Sequence, residues 1–180
     1  MDPFAVLGLE RRFDVDLKVA EKNHRELSRA LHPDRYSGAG ASEKREALSR
    51  AVEVNEAWRI VRDPVRRAEA LFALAGIPTG ETTEPKPSPA FLMEMMEQRE
   101  ALAEAQGAGD RDLVARLAEA IHARARETQT ILTRVFAEPG EDLAPHLHRL
   151  GELRFYARFL DEVSAIEDLL DDSAGRETRP

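Results

Sequence analysis

The residues with the clearest chemical potential are His32-Pro33-Asp34, within LSRALHPDRYSG at positions 27–38. An imidazole and a carboxylate two positions apart offer a general base and a general acid. Such chemistry also needs a nucleophile or a further acid or base nearby. Pro33 stiffens the peptide, so His32 and Asp34 are expected to point from a rigid turn rather than toward one another. As a turn the tripeptide is sound: Pro33 fixes its own φ and disfavours helix at His32, and Asp34 can accept hydrogen bonds from neighbouring amides. A turn alone, however, does not require histidine. The five histidines are scattered, and the closest pair, His146 and His148, would fall on different sides of a helix. The chain has no cysteine, which excludes disulfides, thiol catalysis and any zinc or cluster held by its own thiolates. No catalytic residue, metal ligand or cofactor is assigned.

The elements that must position this tripeptide are helical. Alanine, leucine, glutamate and arginine dominate, and no stretch alternates β-branched and polar residues with period two. A short helix is expected over Pro3–Leu7, stopping at Gly8. A second starts after the N-cap Asp16 and ends at Leu31, a third covers Ser42–Arg62, and a fourth starts at Pro64 and stops at Gly76. On the third, Ala47, Ala51, Val54, Trp58 and Val61 fall within about 80° at 100° per residue, which makes them core. GIPTGETTEPKPSP, residues 76–89, holds four of the ten prolines and two glycines, and reads as a linker.

Beyond it, Ser88-Pro89 starts a helix that runs to Gly107-Ala108-Gly109. Asp110 caps a long helix carrying Leu113, Leu117, Ile121, Thr128, Leu132 and Val135, which ends at Pro139-Gly140. A last helix carries Leu143, Leu147, Leu150, Leu153, Ala157 and Leu160. Three helices on short loops make an antiparallel bundle over 90–172, and the polar residues 173–180 are expected to fray.

Charge narrows the partners. The net charge of −8 argues against nonspecific nucleic-acid binding. Residues 1–76 carry 14 Lys/Arg against 13 Asp/Glu, and residues 77–180 carry 12 against 21, so the second half is the acidic one. No apolar run approaches the roughly 18 residues of a membrane span, and MDPFAVLGLE lacks the pattern of a signal peptide, so a cytoplasmic protein with no membrane partner is expected. On the second helix Lys18, Lys22, Arg25 and Arg29 occupy an arc of about 60° with no acidic residue among them, although like charges one turn apart repel. Ala20, His24, Leu27 and Leu31 lie opposite. A cationic stripe kept at that cost suggests an acidic partner.

A basic helix ending in His-Pro-Asp-Arg, then a loop, then a helix with Asn55-Glu56-Ala57-Trp58 that closes at Asp63-Pro64, resembles a J-domain, the module that stimulates ATP hydrolysis by DnaK-class heat-shock chaperones. The resemblance implies a helical hairpin over residues 1–75 with the tripeptide at its tip. It also implies chaperone binding through Lys18, Lys22, Arg25, Arg29, His32, Pro33, Asp34 and Arg35. Residue 35 is arginine where such domains more often have lysine, and His24 takes a core-facing position usually held by an aromatic residue.

The helix after the linker has two faces. Phe91, Met95, Gln98, Leu102 and Ala105 form a packing stripe. Counting Leu92 as 0°, Met96 lies at about 40°, Glu100 at 80°, Met93 at 100°, Glu104 at 120° and Glu97 at 140°, an apolar spot edged by carboxylates. Flexible Met and Leu side chains with a charged rim suit an adaptable protein-binding surface. With Asp2-Pro3-Phe4, Leu7-Gly8-Leu9, Arg67-Ala68, Phe91-Leu92-Met93, Arg99-Glu100 and LRFYARFL at 153–160, the chain is similar to the HscB family of iron–sulfur cluster co-chaperones from residue 1 to about 172.

That similarity implies an L-shaped, all-α, two-domain protein. Its bundle would bind an IscU-type cluster scaffold through Leu92, Met93, Met96, Glu97, Glu100, Glu104 and Phe155 and deliver it to an HscA-type chaperone. The zinc-binding cysteine extension of some eukaryotic members is absent, which points to a bacterial-type protein. A chain without thiols would act on the scaffold rather than hold a cluster itself, as an adaptor and not an enzyme. The alternative is a J-domain adaptor that recruits a different client.

Overall fold

The structure, a computed structural model, describes residues 1–80 and 84–177, with side chains described up to residue 171. Its elements are α1 (Pro3–Val6), α2 (Leu17–Ala30), a 3-10 turn (Pro33–Tyr36), α3 (Ala41–Arg62), α4 (Pro64–Leu74), α5 (Pro89–Ala108), α6 (Arg111–Ala137), a second 3-10 turn (Ala144–His146) and α7 (His148–Glu177). Among the described residues there is no strand, so the all-α reading holds. Two compact units emerge: Met1–Glu81 with Leu132–Ala144, and Thr82–Ile131 with Pro145–Pro180. Residues 81–83 of the expected linker lie outside the described residues.

In the first unit, local chemistry sets the helix boundaries. Asp2 Oδ1 accepts from the amides of Phe4 and Ala5, Asp16 Oδ1 from Lys18 and Val19, and Asp63 Oδ1 from Val65 and Arg66. Each N-cap removes orphan donors at a helix start, worth about 1 kcal/mol. Gly8 stops α1 at φ 65°, a left-handed conformation that lets the Leu9 amide reach back to the Phe4 carbonyl at 2.8 Å.

α2 and α3 form the expected hairpin around Ala20, Val54, Ala57 and Val61, all buried, with Phe4 and Leu7 packed in from α1. His24 stacks on Trp58, with ring centroids 5.4 Å apart and planes 14° from parallel, so an imidazole does fill the place of an apolar aromatic. Its Nε2 lies 3.0 Å from Asn55 Oδ1 and 3.3 Å from Ser28 Oγ, which satisfies the polar edge that a phenyl ring would not have. Deeper in, Phe72 is fully buried and meets Phe136 edge to face at 5.0 Å, and Phe13 stacks on Phe136 at 6.2 Å. Arg67 lies over the Phe13 ring at 4.9 Å and donates from Nη1 to the Val61 carbonyl at 2.8 Å. Burial holds its guanidinium below the ordinary pKa.

In the second unit, Ser88 Oγ caps α5 through the Phe91 amide and Gly109 ends it at φ 67°. Asp110 Oδ1 then accepts from the Leu113 amide to start α6. The cross-helix pairs set the topology. Glu94 of α5 pairs with Arg124 of α6, and Thr128 of α6 with Glu152 of α7, whereas Phe91 meets Phe155 and Arg99 meets Glu162 in rising order. Neighbours in sequence are therefore antiparallel and α5 and α7 run parallel, as in an up-down-up bundle. Met95, Leu102, Val114, Ile121, Leu150, Leu153, Phe159 and Val163 fill it.

One expectation is corrected. Leu143 and Leu147 precede the last helix, because Pro145 breaks the pattern and Asp142 Oδ1 instead caps a separate turn at the Ala144 amide. Helix α7 runs to Glu177. Residues 178–180 of the polar tail lie outside the described residues.

Candidate docking sites

The first candidate surface is the tip and one side of the hairpin. Asp16 starts α2 so that Lys18, Lys22, Arg25 and Arg29 all emerge on its solvent side, and each is exposed. The stripe is less bare than its spacing implied. Lys22 lies 3.9 Å from Glu26, and Arg25 lies 3.6 Å from Glu21, both pairs one turn apart. Those flanking carboxylates lower the repulsion along the row by a few tenths of a kcal/mol. Lys18, Arg29 and Arg35 make no ion pair among the described residues.

His32 is the N-cap of the 3-10 turn, with φ −62° and ψ 134°, and Pro33 occupies the first position of the turn. Its Nδ1 accepts from the Asp34 amide at 3.4 Å and lies 3.5 Å from Asp34 Oδ2. The expectation that the two side chains diverge is thus wrong. A capping side chain folds over the second and third amides of its own turn, which brings His32 onto Asp34 across Pro33. With Nδ1 accepting from the amide, the neutral ring keeps its proton on Nε2. Histidine therefore has a local reason to be here: it caps the turn.

The pair remains poor ground for catalysis. The side chains of His32 and Asp34 are 59% and 90% exposed, so nothing excludes water from them. Behind them lies an apolar hollow of about 240 Å³ lined by Leu31, Pro33, Tyr36, Ala47, Leu48 and Ala51, with Lys44 at its edge. Lys44 Nζ donates to the Ser37 carbonyl at 2.9 Å, which ties the loop back to α3.

The second candidate surface is on α5. Met95, Leu102 and Ala105 are buried, whereas Leu92, Met93 and Met96 are 36%, 63% and 61% exposed, so the two faces separate as expected. Glu97, Glu100 and Glu104 are exposed and make no ion pair among the described residues. Phe155 comes from α7, half-buried, with its ring edge to face on Phe91 at 5.6 Å. Arg158, one turn on, sets its guanidinium over the Phe155 ring at 5.1 Å, and periodicity gave no reason to single it out.

α5 is held by Glu94, which pairs with Arg124. The hydrogen bond from Arg124 holds the Glu94 carboxyl below the ordinary 4.5, against partial burial and with help from the opposite charge. Because the carboxyl is the stronger acid in the folded protein, the pair stabilises the bundle above the unfolded value. That contribution fades as pH falls through the lower folded value. Between about pH 5 and 3, the Glu94→Gln variant is therefore expected to lose less stability than the unaltered chain, as thermal melts at each pH would report.

A capped basic hairpin with a displayed His-Pro-Asp tip, carried with a separate Met/Leu surface on a helical bundle, defines a docking protein of the co-chaperone class. Comparison with known proteins specifies which. A family model described as the HSCB C-terminal oligomerisation domain matches residues 87–164. The co-chaperone protein HscB homolog of Shewanella halifaxensis (strain HAW-EB4) is 32% identical over 176 residues, 96% of this chain and 100% of that protein. Its counterpart in Shewanella amazonensis (strain ATCC BAA-1098 / SB2B) is 34% identical over 174 residues, again 96% and 100%. Chaperone HscB from Vibrio cholerae superposes with a TM-score of 0.82 at 29% identity, over 94% of this chain and 99% of that one. Human co-chaperone protein HscB shares the fold, with a TM-score of 0.83 at 24% identity over 93% and 82%. The chain belongs to the HscB co-chaperone family, and its partner is accordingly a chaperone of the DnaK heat-shock class. Among the described residues no helix is long and apolar enough to cross a membrane.

Proposed function

We propose that this protein stimulates ATP hydrolysis by an HscA-type chaperone and delivers to it an IscU-type scaffold for iron–sulfur cluster transfer, in the cytoplasm and without turnover of its own. The observation that carries this reading is the presence of two exposed surfaces of opposite character on separate helices: Lys18, Lys22, Arg25, Arg29 and Arg35 around the His32-Pro33-Asp34 tip, and Leu92, Met93 and Met96 edged by Glu97, Glu100 and Glu104. The first suits an acidic face on the chaperone and the second an apolar, basic-rimmed scaffold. One chain that holds both raises the effective concentration of scaffold at the chaperone, so the two effects on ATPase rate should multiply rather than add.

The test is the steady-state ATPase of an HscA-type chaperone with this protein, with scaffold, and with both. Joint stimulation no greater than the sum of the two would reject delivery. Ionic strength separates the surfaces. From about 0.01 to 0.15 M the Debye length falls from ~30 to ~8 Å, so chaperone association should weaken steeply, while scaffold binding through Leu and Met should change less. An unchanged chaperone affinity across that range would remove the role given to the basic stripe.

A further inference from the structure

The face that carries Leu92 and Met96 is charged asymmetrically. On α5, Arg99 lies about 20° to the other side of Leu92 from Met96 and the three carboxylates. Its Nε reaches Glu162 of α7 at 3.6 Å, which identifies the Leu92 side of α5 as the one beside α7. Phe155 and Arg158 of α7 border that side, while Glu100, Glu104 and Glu97 border the opposite one.

Two other cations at this border are already paired, Arg99 with Glu162 and Arg154 with Glu84. Arg158 has no carboxylate within ion-pair distance among the described residues, because Glu162, one turn on, is engaged by Arg99. It is nonetheless oriented. Its Nε donates to the Arg154 carbonyl at 3.3 Å and its guanidinium rests over the Phe155 ring at 5.1 Å. Those restraints remove part of the side-chain entropy that a free arginine would lose on binding and leave the Nη donors for a forked contact.

We infer that Arg158 reads a carboxylate on the scaffold. It forms the basic edge of a polarised docking face whose acidic edge is Glu97, Glu100 and Glu104. The partner is thus an apolar surface with Lys or Arg along one margin and Asp or Glu along the other. Reversing it on the patch would place like charges together at both edges, so the asymmetry sets the direction of docking. This inference rests on the scaffold-binding reading.

The test is calorimetric titration of an IscU-type scaffold into the full chain. Arg158→Glu should weaken binding by about tenfold or more, and Arg158→Lys by less, since it keeps the charge but not the fork. Arg45→Glu, an equal change of net charge on the exposed side of α3, should leave scaffold affinity unaltered. A scaffold with one margin carboxylate changed to arginine should regain binding to Arg158→Glu while losing it to the unaltered chain. Wild-type affinity in Arg158→Glu, with binding lost in a Leu92→Ala, Met96→Ala double variant, would overturn the inference and leave scaffold binding in place. Full affinity in that double variant would overturn both. Dimerisation of the chain alone, abolished by Arg158→Glu in sedimentation, would assign the face to a second copy and also overturn it.

Discussion

The His32→Gln variant is expected to leave the chaperone at its basal ATPase rate while binding scaffold as tightly as before. In the structure the His32 side chain is exposed, and it accepts from the Asp34 amide at 3.4 Å beside the Asp34 carboxylate at 3.5 Å. Losing such a bond costs about 0.5–1.5 kcal/mol and leaves the hairpin folded, because the core of α2 and α3 does not involve the tip. Glutamine can still accept a hydrogen bond, but it has no rigid ring to hold a second donor in a fixed direction. At the centre of a desolvated contact such a change costs roughly 2 kcal/mol or more, a factor of about thirty in affinity. The check is single-turnover hydrolysis by an HscA-type chaperone at a co-chaperone concentration near that giving half-maximal stimulation with the unaltered chain, with scaffold affinity measured on the same preparation. Normal stimulation by the variant would dismiss the tip as the effector. Hydrolytic turnover by this protein alone would revive the enzyme reading.

The complementary result is expected on α5. Changing Leu92, Met93 and Met96 together to alanine should abolish scaffold binding and leave basal chaperone stimulation intact. These side chains are exposed in the free protein, so truncation removes little from the bundle core, which rests on Met95, Leu102 and Ala105 on the other side. On a covered surface each truncation would forfeit about 1–2 kcal/mol of apolar burial. Together they amount to at least a hundredfold in affinity. Calorimetry of scaffold binding, alongside a thermal melt that should barely move, decides it. If scaffold binding survived the triple change, the site would be elsewhere. If another client then bound the intact patch in place of the scaffold, the adaptor alternative would be favoured.

The starts of α2, α4, α5 and α6 were legible because their cause is local, whereas that of α7, which no such cap announces, was not. Asp16, Asp63, Ser88 and Asp110 act on amides two or three residues away, and a capping side chain before a periodic run is readable without knowing the fold. The buried stripes of α3 and α5 were legible for a related reason, since 100° per residue fixes which positions share a face. Contacts between helices follow no such rule. Phe155 had a reason to join Leu92 only through family resemblance, and Arg158 had none, because the pairing of α7 with α5 is decided by packing across more than sixty positions. Phe136 is similar: nothing in its neighbourhood announces that it packs on Phe13 and Phe72. The tip was misread on a finer scale. The stiffness of Pro33 was recognised, but its consequence depends on a side-chain torsion at His32, and a capping torsion turns the ring back over Asp34.

The stack of His24 on Trp58 makes the hairpin its own optical probe. Trp58 is the only tryptophan in the chain, and it lies in the unit that carries the His-Pro-Asp tip. Its emission therefore reports on one unit without interference from the other. With an imidazole 5.4 Å from the indole, parting α2 from α3 strips away the neighbouring ring and exposes the fluorophore to water, with no label attached. Unfolding of the hairpin and of the bundle can thus be told apart in a single sample, since light from Trp58 follows the first alone and total helicity follows both.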